Sequence, residues 1–181
     1  IDELAASAQR DPLAFRLEGL ADPRGRAVCE KVAELMHWQP RSSPVQSGNK
    51  GRGFSYVHYK FNETYVAIGM EVEVDRRNGQ VHVHRIVCAH DCGLIINPDA
   101  TRQQVEGNIL QTLSRTLFEE TQFDRSKVTS VDWQSYPLLT FPDVPELVIA
   151  LLDQPHLPPL GAGEAACAAV PAALANAIYD A

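Results

Sequence analysis

Residues 63–74, ETYVAIGMEVEV, alternate strictly between two sets of side chains. Thr64, Val66, Ile68, Met70, Val72 and Val74 share one face; Glu63, Tyr65, Ala67, Gly69, Glu71 and Glu73 share the other. A period of two belongs to a β-strand, and an apolar face opposite a polar one predicts a half-buried antiparallel strand. Asn78-Gly79 supplies the turn chemistry of a hairpin. The return run, QVHVHRIVCA, points Val81 and Val83 inward and His82 and His84 outward. Two histidines at i and i+2 could ligate a metal, but polar positions on a solvated strand face account for them without one.

The stretches on either side of the hairpin are helical. Residues 1–38 read as a helical segment, with Asp2 as an expected N-cap and Leu4, Leu13, Phe15, Leu17 and Leu20 as apolar positions. Asp11-Pro12 and Asp22-Pro23 each pair a capping carboxylate with a proline at the first helical position. After the second, Val28, Val32, Leu35 and Met36 form a helical stripe. Residues 39–53, QPRSSPVQSGNKGRG, read as a loop or linker. Gly48, Gly51 and Gly53 lack the lysine and hydroxyl residue of a phosphate-binding loop.

Beyond the hairpin, Asn97 or Asp99 opens a long helix whose Val105, Ile109, Leu113 and Leu117 recur at four-residue steps, widened by Leu110 and Phe118. Gly107 lies inside it, a position that usually marks close approach of a backbone or ligand. A turn follows at Asp124–Lys127, and short strands are expected near 128–134 and 146–152. ELVIALL, apolar on both faces, predicts a central strand. A final helix follows DQPHLPPLGAGE. Helices and hairpins are segregated rather than alternating, so the class is α+β, with an antiparallel or mixed sheet. Residues 54–181 form the expected α+β domain, continuing beyond both ends.

Composition narrows the functions. The formal charge is −7 and the basic residues are scattered, which argues against a nucleic-acid surface. No run of 18 apolar residues is free of charge, so no membrane span is expected; the Ala-rich tail comes nearest, and Glu164 and Pro171 interrupt it. The chain opens on Ile1 and stops within a helical stretch, so it is expected to be part of a longer polypeptide. Cys88 and Cys92 flank His90 in CAHDCG, but C-x3-C is not the usual zinc spacing and no second pair follows, so these read as packing cysteines.

Glu164 remains, alone between a glycine turn and a run of alanines in LPPLGAGEAACAAVP. Read locally, it is an acid in a first helical turn, favoured by the macrodipole. A resemblance gives it a second reading. IDELAASAQRDPLAFRLEGL, HDCGLIINPDATRQQVEGNILQTL with its Q-x-E-G, and PLGAGEAACAAVPAALANAIYDA with its G-x-G-E occur in that order. Together they resemble the molybdopterin-binding large subunit of the xanthine dehydrogenase / aldehyde oxidase family. YPLLTFPDVPELVIALLD and PAALANAI are similar to its isoquinoline 1-oxidoreductase / nicotinate dehydrogenase branch.

The resemblance implies a C-terminal part of a molybdenum hydroxylase large subunit. Such an enzyme hydroxylates an N-heterocycle or an aldehyde with oxygen from water. Glu164 matches the family's catalytic base, and the attacking hydroxyl must lose a proton, which a positioned carboxylate can accept. An apolar pocket around it would raise its basicity. Gly161 and Gly163 would let backbone approach the cofactor. Gln104 matches a glutamine beside the pterin, where an amide offers donors and an acceptor; Glu106 carries no chemistry.

The implied cofactor is molybdopterin, as the cytosine dinucleotide typical of bacterial relatives. No iron–sulfur cysteine set is present. The implied partners are therefore an iron–sulfur small subunit, the upstream part of the same large subunit, and a small heterocyclic or aldehyde substrate. Asn108, Thr112 and Ser114 stand where relatives often carry small residues, and Ala165 where they carry proline. The competing reading is a non-catalytic α+β binding or assembly module.

Overall fold

A computed structural model describes residues 1–45 and 47–181. Gln46, within the expected 39–53 loop, lies outside the described residues. Among the described residues, four strands build one sheet in the order β1-β2-β3-β4: β1 (Lys50–His58), β2 (Tyr65–Asp75), β3 (Gln80–Asp91) and β4 (Glu146–Leu151). The first three pair antiparallel, and β4 runs parallel to β3. The class is α+β, with a mixed sheet. The expected hairpin is β2–β3, closed by a turn in which Gly79 takes φ +75. The 39–53 loop ends sooner than its composition suggests, because β1 begins at Lys50. Gly51 and Gly53 serve that strand: a Cβ on either would come within 2.2 Å or 2.0 Å of a carbonyl of the last helix. Only glycine lets strand and helix approach this closely.

Helices cover both faces. α4 (Pro98–Leu117), a 3-10 turn (Ala165–Ala169) and α5 (Val170–Asp180) lie on one side. Val105, Ile109, Leu113 and Leu174 are buried there with Val66, Ile68, Met70, Val72, Ile86 and Cys88. Each large aliphatic side chain removed from water contributes about 1.5–3 kcal/mol before entropy is counted. α3 (Pro23–Leu35) covers the other face, packing Val28, Cys29, Val32 and the following Met36 on Phe54, Tyr65, Ala67, Val87 and Ala89. Strand β2 is therefore buried on both faces through its first half, and only from Glu71 onward does its second face open. Small residues at 67 and 69 permit this; a Cβ at Gly69 would overlap Met36 Sδ.

The N-terminal helices start where the prolines indicate. Asp11 accepts a hydrogen bond from Ala14 N ahead of α2 (Pro12–Gly19), and Asp22 accepts from Arg24 N and Gly25 N ahead of α3. Asp2 does not cap. It sits inside α1 (Asp2–Ser7), buried against Arg16, and burial raises its carboxyl pKa. Asn97 caps α4 through Ala100 N.

Two strand expectations fail. Residues 128–134 hold only a bridge from Val128 to Phe123, and Asp132 instead accepts from Gln134 N and Ser135 N in a turn. β4 is an edge strand, not a central one. Its two apolar faces follow from the helical layers above and below: Leu147, Ile149 and Leu151 join the α4–α5 side, while Val148 and Ala150 join the α3 side. Apolar faces report covering layers, and in-plane neighbours leave no such mark. Cys88 and Cys92 are free and buried, and burial pushes both thiols up. Among the described residues, no helix is long and apolar enough to cross a membrane.

Candidate functional site

The loop carrying Glu164 is fixed from below by the HDCG turn. Asp91 ends β3 fully buried, with Arg24 Nε at 2.9 Å and Nη2 at 2.5 Å. Asp91 Oδ1 also accepts from Gly93 N at 3.0 Å. Gly93 takes φ +75, and a Cβ there would strike Pro158 O at 2.1 Å. The glycine lets the 157–160 segment close over the end of the sheet, where Leu160 N donates to Cys92 O at 2.8 Å. His90, beside this turn, is fully buried, with no partner for either ring nitrogen among the described residues. Burial pushes its pKa down to about 4, so the ring is held neutral.

Two further elements hold the loop from the sides. Thr64, buried immediately before β2, donates its hydroxyl to Gly161 O at 2.6 Å. On α4, Asn108 Nδ2 donates to Gln104 O at 2.6 Å and to Ala162 O at 3.4 Å. Cys167 Sγ donates to Asn108 Oδ1 at 2.8 Å. Asn108 thus bridges the long helix to the glycine loop.

Gln104 and Gly163 meet across this junction. A Cβ on Gly163 would stand 4.0 Å from Gln104 Oε1, and both residues are exposed. The Gln104 amide has no hydrogen-bond partner among the described residues. Beside it runs a cleft of about 260 Å³ between the start of α4 and the loop, lined by Cys92, Asn97, Thr101, Gln104, Leu160 and Ala162. An unpaired amide, open backbone at Gly163 and a cleft at a capped helix start fit the edge of a pterin, which needs donors and an acceptor. Gly107, expected to mark a close approach, has no atom within 4 Å of where its Cβ would stand.

Glu164 follows directly, at the start of the 3-10 turn. It caps nothing through its side chain. The apolar pocket expected around it is not formed by this chain: the side chain is 64% exposed. Its carboxylate instead accepts from the Tyr59 hydroxyl and lies 3.7 Å from Lys60 Nζ. That bond pushes the Tyr59 phenol up to about 12. Sequence reasoning passed over Tyr59 and Lys60, because contact across 105 positions leaves no local pattern.

His82 and His84 lie elsewhere, on the far half of the hairpin, with ring centroids 4.5 Å apart. His84 Nε2 is 3.2 Å from Glu73 Oε2.

The chain has counterparts among known proteins. Residues 30–145 match the molybdopterin cofactor-binding domain family. A nicotinate dehydrogenase polypeptide of Pseudomonas putida is 43% identical over the whole chain, which spans 16% of that protein. The beta subunit of isoquinoline 1-oxidoreductase of Brevundimonas diminuta is 34% identical over 84% of the chain and 19% of its own length. The structure of quinoline 2-oxidoreductase from Pseudomonas putida 86 superposes with a TM-score of 0.60 at 30% identity, covering 65% of this chain and 16% of that one. The chain thus spans less than a fifth of each of these relatives, and it belongs to the molybdopterin cofactor-binding domain family, in the xanthine dehydrogenase / aldehyde oxidase type with its nicotinate dehydrogenase and isoquinoline 1-oxidoreductase branch.

Proposed function

We propose that this chain forms one wall of the active site of a molybdenum hydroxylase, with Glu164 as the general base. The observation that carries the reading is the convergence of Gln104, Gly163 and Glu164, from two motifs about 60 residues apart, on one open junction. The reaction is hydroxylation of an N-heterocycle or aldehyde carbon: a C–H bond and water become a C–OH bond, two protons and two electrons. Bound molybdopterin, expected as the cytosine dinucleotide, supplies the two-electron redox chemistry. Glu164 accepts the proton of the attacking hydroxyl. Gln104 hydrogen-bonds the pterin edge, and Gly163 leaves room for it. An iron–sulfur small subunit would be needed to take up the two electrons, since this chain has no cluster-binding cysteine set.

Three features support the division of labour. Gln104, Gly163 and Glu164 are all exposed, as the face of a wall must be. The charge of −7 offers no general attraction for an anionic cofactor, so other protein must surround it. Exposed Phe123, Val131, Trp133 and Phe141 lie along the 118–145 segment, where further protein would dock. This chain alone should then be inert, bind molybdopterin weakly and self-associate. A monomer by light scattering that holds stoichiometric cofactor unaided would refute the half-site reading.

The decisive test is Glu164→Gln in the assembled enzyme. Turnover should fall by about 10²–10⁴, the usual worth of a general base, with molybdenum content kept. Near-normal turnover would return Glu164 to the non-catalytic reading. Gln104→Ala should lower cofactor retention while leaving the unfolding midpoint in place.

A further inference from the structure

The tip of the β1–β2 hairpin, residues 59–64, reaches the Glu164 loop at two points. Thr64 holds Gly161 O, and the Tyr59 hydroxyl donates to the Glu164 carboxylate. Lys60 Nζ stands between two carboxylates, 3.6 Å from Glu63 and 3.7 Å from Glu164. The tip is closed on itself by Tyr59 N donating to Thr64 O at 2.8 Å and Glu63 N to Tyr59 O at 3.0 Å. It also carries two consecutive residues in the left-handed region, Lys60 at φ 48 and Phe61 at φ 65. Residues with side chains rarely adopt that conformation, and they keep it where surrounding contacts impose it. The hydroxyl and the ammonium thus converge on one carboxylate that is otherwise solvent-exposed.

An exposed glutamate has several rotamers of similar energy. A base must meet its proton within hydrogen-bond reach, so wandering among rotamers costs rate. We propose that Tyr59 and Lys60 are positioning residues that aim the Glu164 carboxylate for proton transfer. Tyr59 fixes one oxygen by a directed hydrogen bond; Lys60 adds a cation nearby. The second carboxylate oxygen is left for the reacting proton. The inference rests on Glu164 being the base.

The test uses the assembled, molybdenum-loaded enzyme for kinetics and this chain for spectroscopy. Tyr59→Phe keeps the ring and removes the donor. It should lower kcat about tenfold to a hundredfold, with KM and molybdenum content unchanged. Lys60→Met should lower kcat less, and Lys60→Arg should restore it. Independently of any cofactor, the Tyr59 phenol, followed by tyrosinate absorbance against Tyr59→Phe, should ionise near 12 in the native chain and at clearly lower pH in Glu164→Ala.

An inactive Glu164→Gln with Tyr59→Phe and Lys60→Met both within about twofold of native kcat overturns the positioning role and leaves the base assignment standing. An active Glu164→Gln overturns both. If Tyr59→Phe loses molybdenum, or if KM rises in step with a fall in kcat, the residue is structural and the proposal falls. A Tyr59 phenol that ionises the same with and without Glu164 also overturns it, since the bond would then be absent.

Discussion

Asp91 and Glu164 are carboxylates on neighbouring segments of the same junction, and their surroundings are opposite. Asp91 is fully buried, bound twice by Arg24 and once by Gly93 N, with Gln154 Nε2 at 3.4 Å. Its Arg24 partner lies over the Tyr65 ring at 4.5 Å. Glu164 is exposed and, among the described residues, held only by Tyr59 and Lys60. A carboxylate with every lone pair engaged can organise a turn, but it has nothing left with which to accept a proton. A carboxylate fixed on one oxygen can do chemistry with the other. The contrast separates the acid that builds the turn from the acid proposed to act beside it.

The strongest way to break that comparison is to remove each acid and read stability. Asp91→Ala strands the Arg24 guanidinium in a part-buried position and frees the Gly93 turn. Urea unfolding should show a loss of about 3–5 kcal/mol, as for other buried pairs broken on one side. Glu164→Ala should change stability by no more than about 0.5 kcal/mol, as at exposed sites generally. Equal effects from the two would erase the distinction.

Next in size is an acid-side loss traced to His90. Its folded pKa, about 4, lies below the unfolded value of about 6.5, because burial disfavours the charged ring. The neutral ring is the form the fold favours. The associated stability is therefore fully present above about pH 6.5 and is lost as pH falls toward 4, amounting to roughly 3 kcal/mol. Paired carboxylates whose pKa is lowered, such as Asp180 beside Arg41, give way only at more acidic pH, so the window is distinct. A His90→Leu chain should lose most of the fall in unfolding free energy between pH 6.5 and 4.5. An undiminished fall there would assign it to another group.

Glycines sharpen the same contrast at smaller scale. Gly53→Ala forces a Cβ into Ala173 O, and overpacking of this kind costs about 1–3 kcal/mol. Gly107→Ala meets no atom within 4 Å and sits in the interior of α4, so it should stabilise by about 0.5–1 kcal/mol. Thermal unfolding of the two variants should move in opposite directions.

Much of the fold was legible because it rests on local rules. The β2–β3 hairpin follows from alternation and Asn78-Gly79; the starts of α2, α3 and α4 follow from Asp-Pro and Asn-Pro pairs whose capping chemistry needs no distant partner. The motifs holding Gln104, Gly163 and Glu164 were likewise readable along the chain. What local patterns did not carry were relations between distant segments. The second face of β2 reads as solvated until α3 is laid over Ala67 and Gly69. β4 reads as central because burial on two faces looks the same in an edge strand.

The amino-acid sequence by itself determined the β2–β3 hairpin, the starts of α2, α3 and α4, the family and the identity of the candidate acid, since period, capping and motif spacing are properties of neighbouring residues. Only the tertiary structure decided that Glu164 stands exposed, that Asp91 carries the turn beneath it, and that Tyr59 and Lys60 reach it. Those are contacts across 67 to 105 positions, set by how closely strand, helix and loop can pack, and packing distance is a property of the assembled layers.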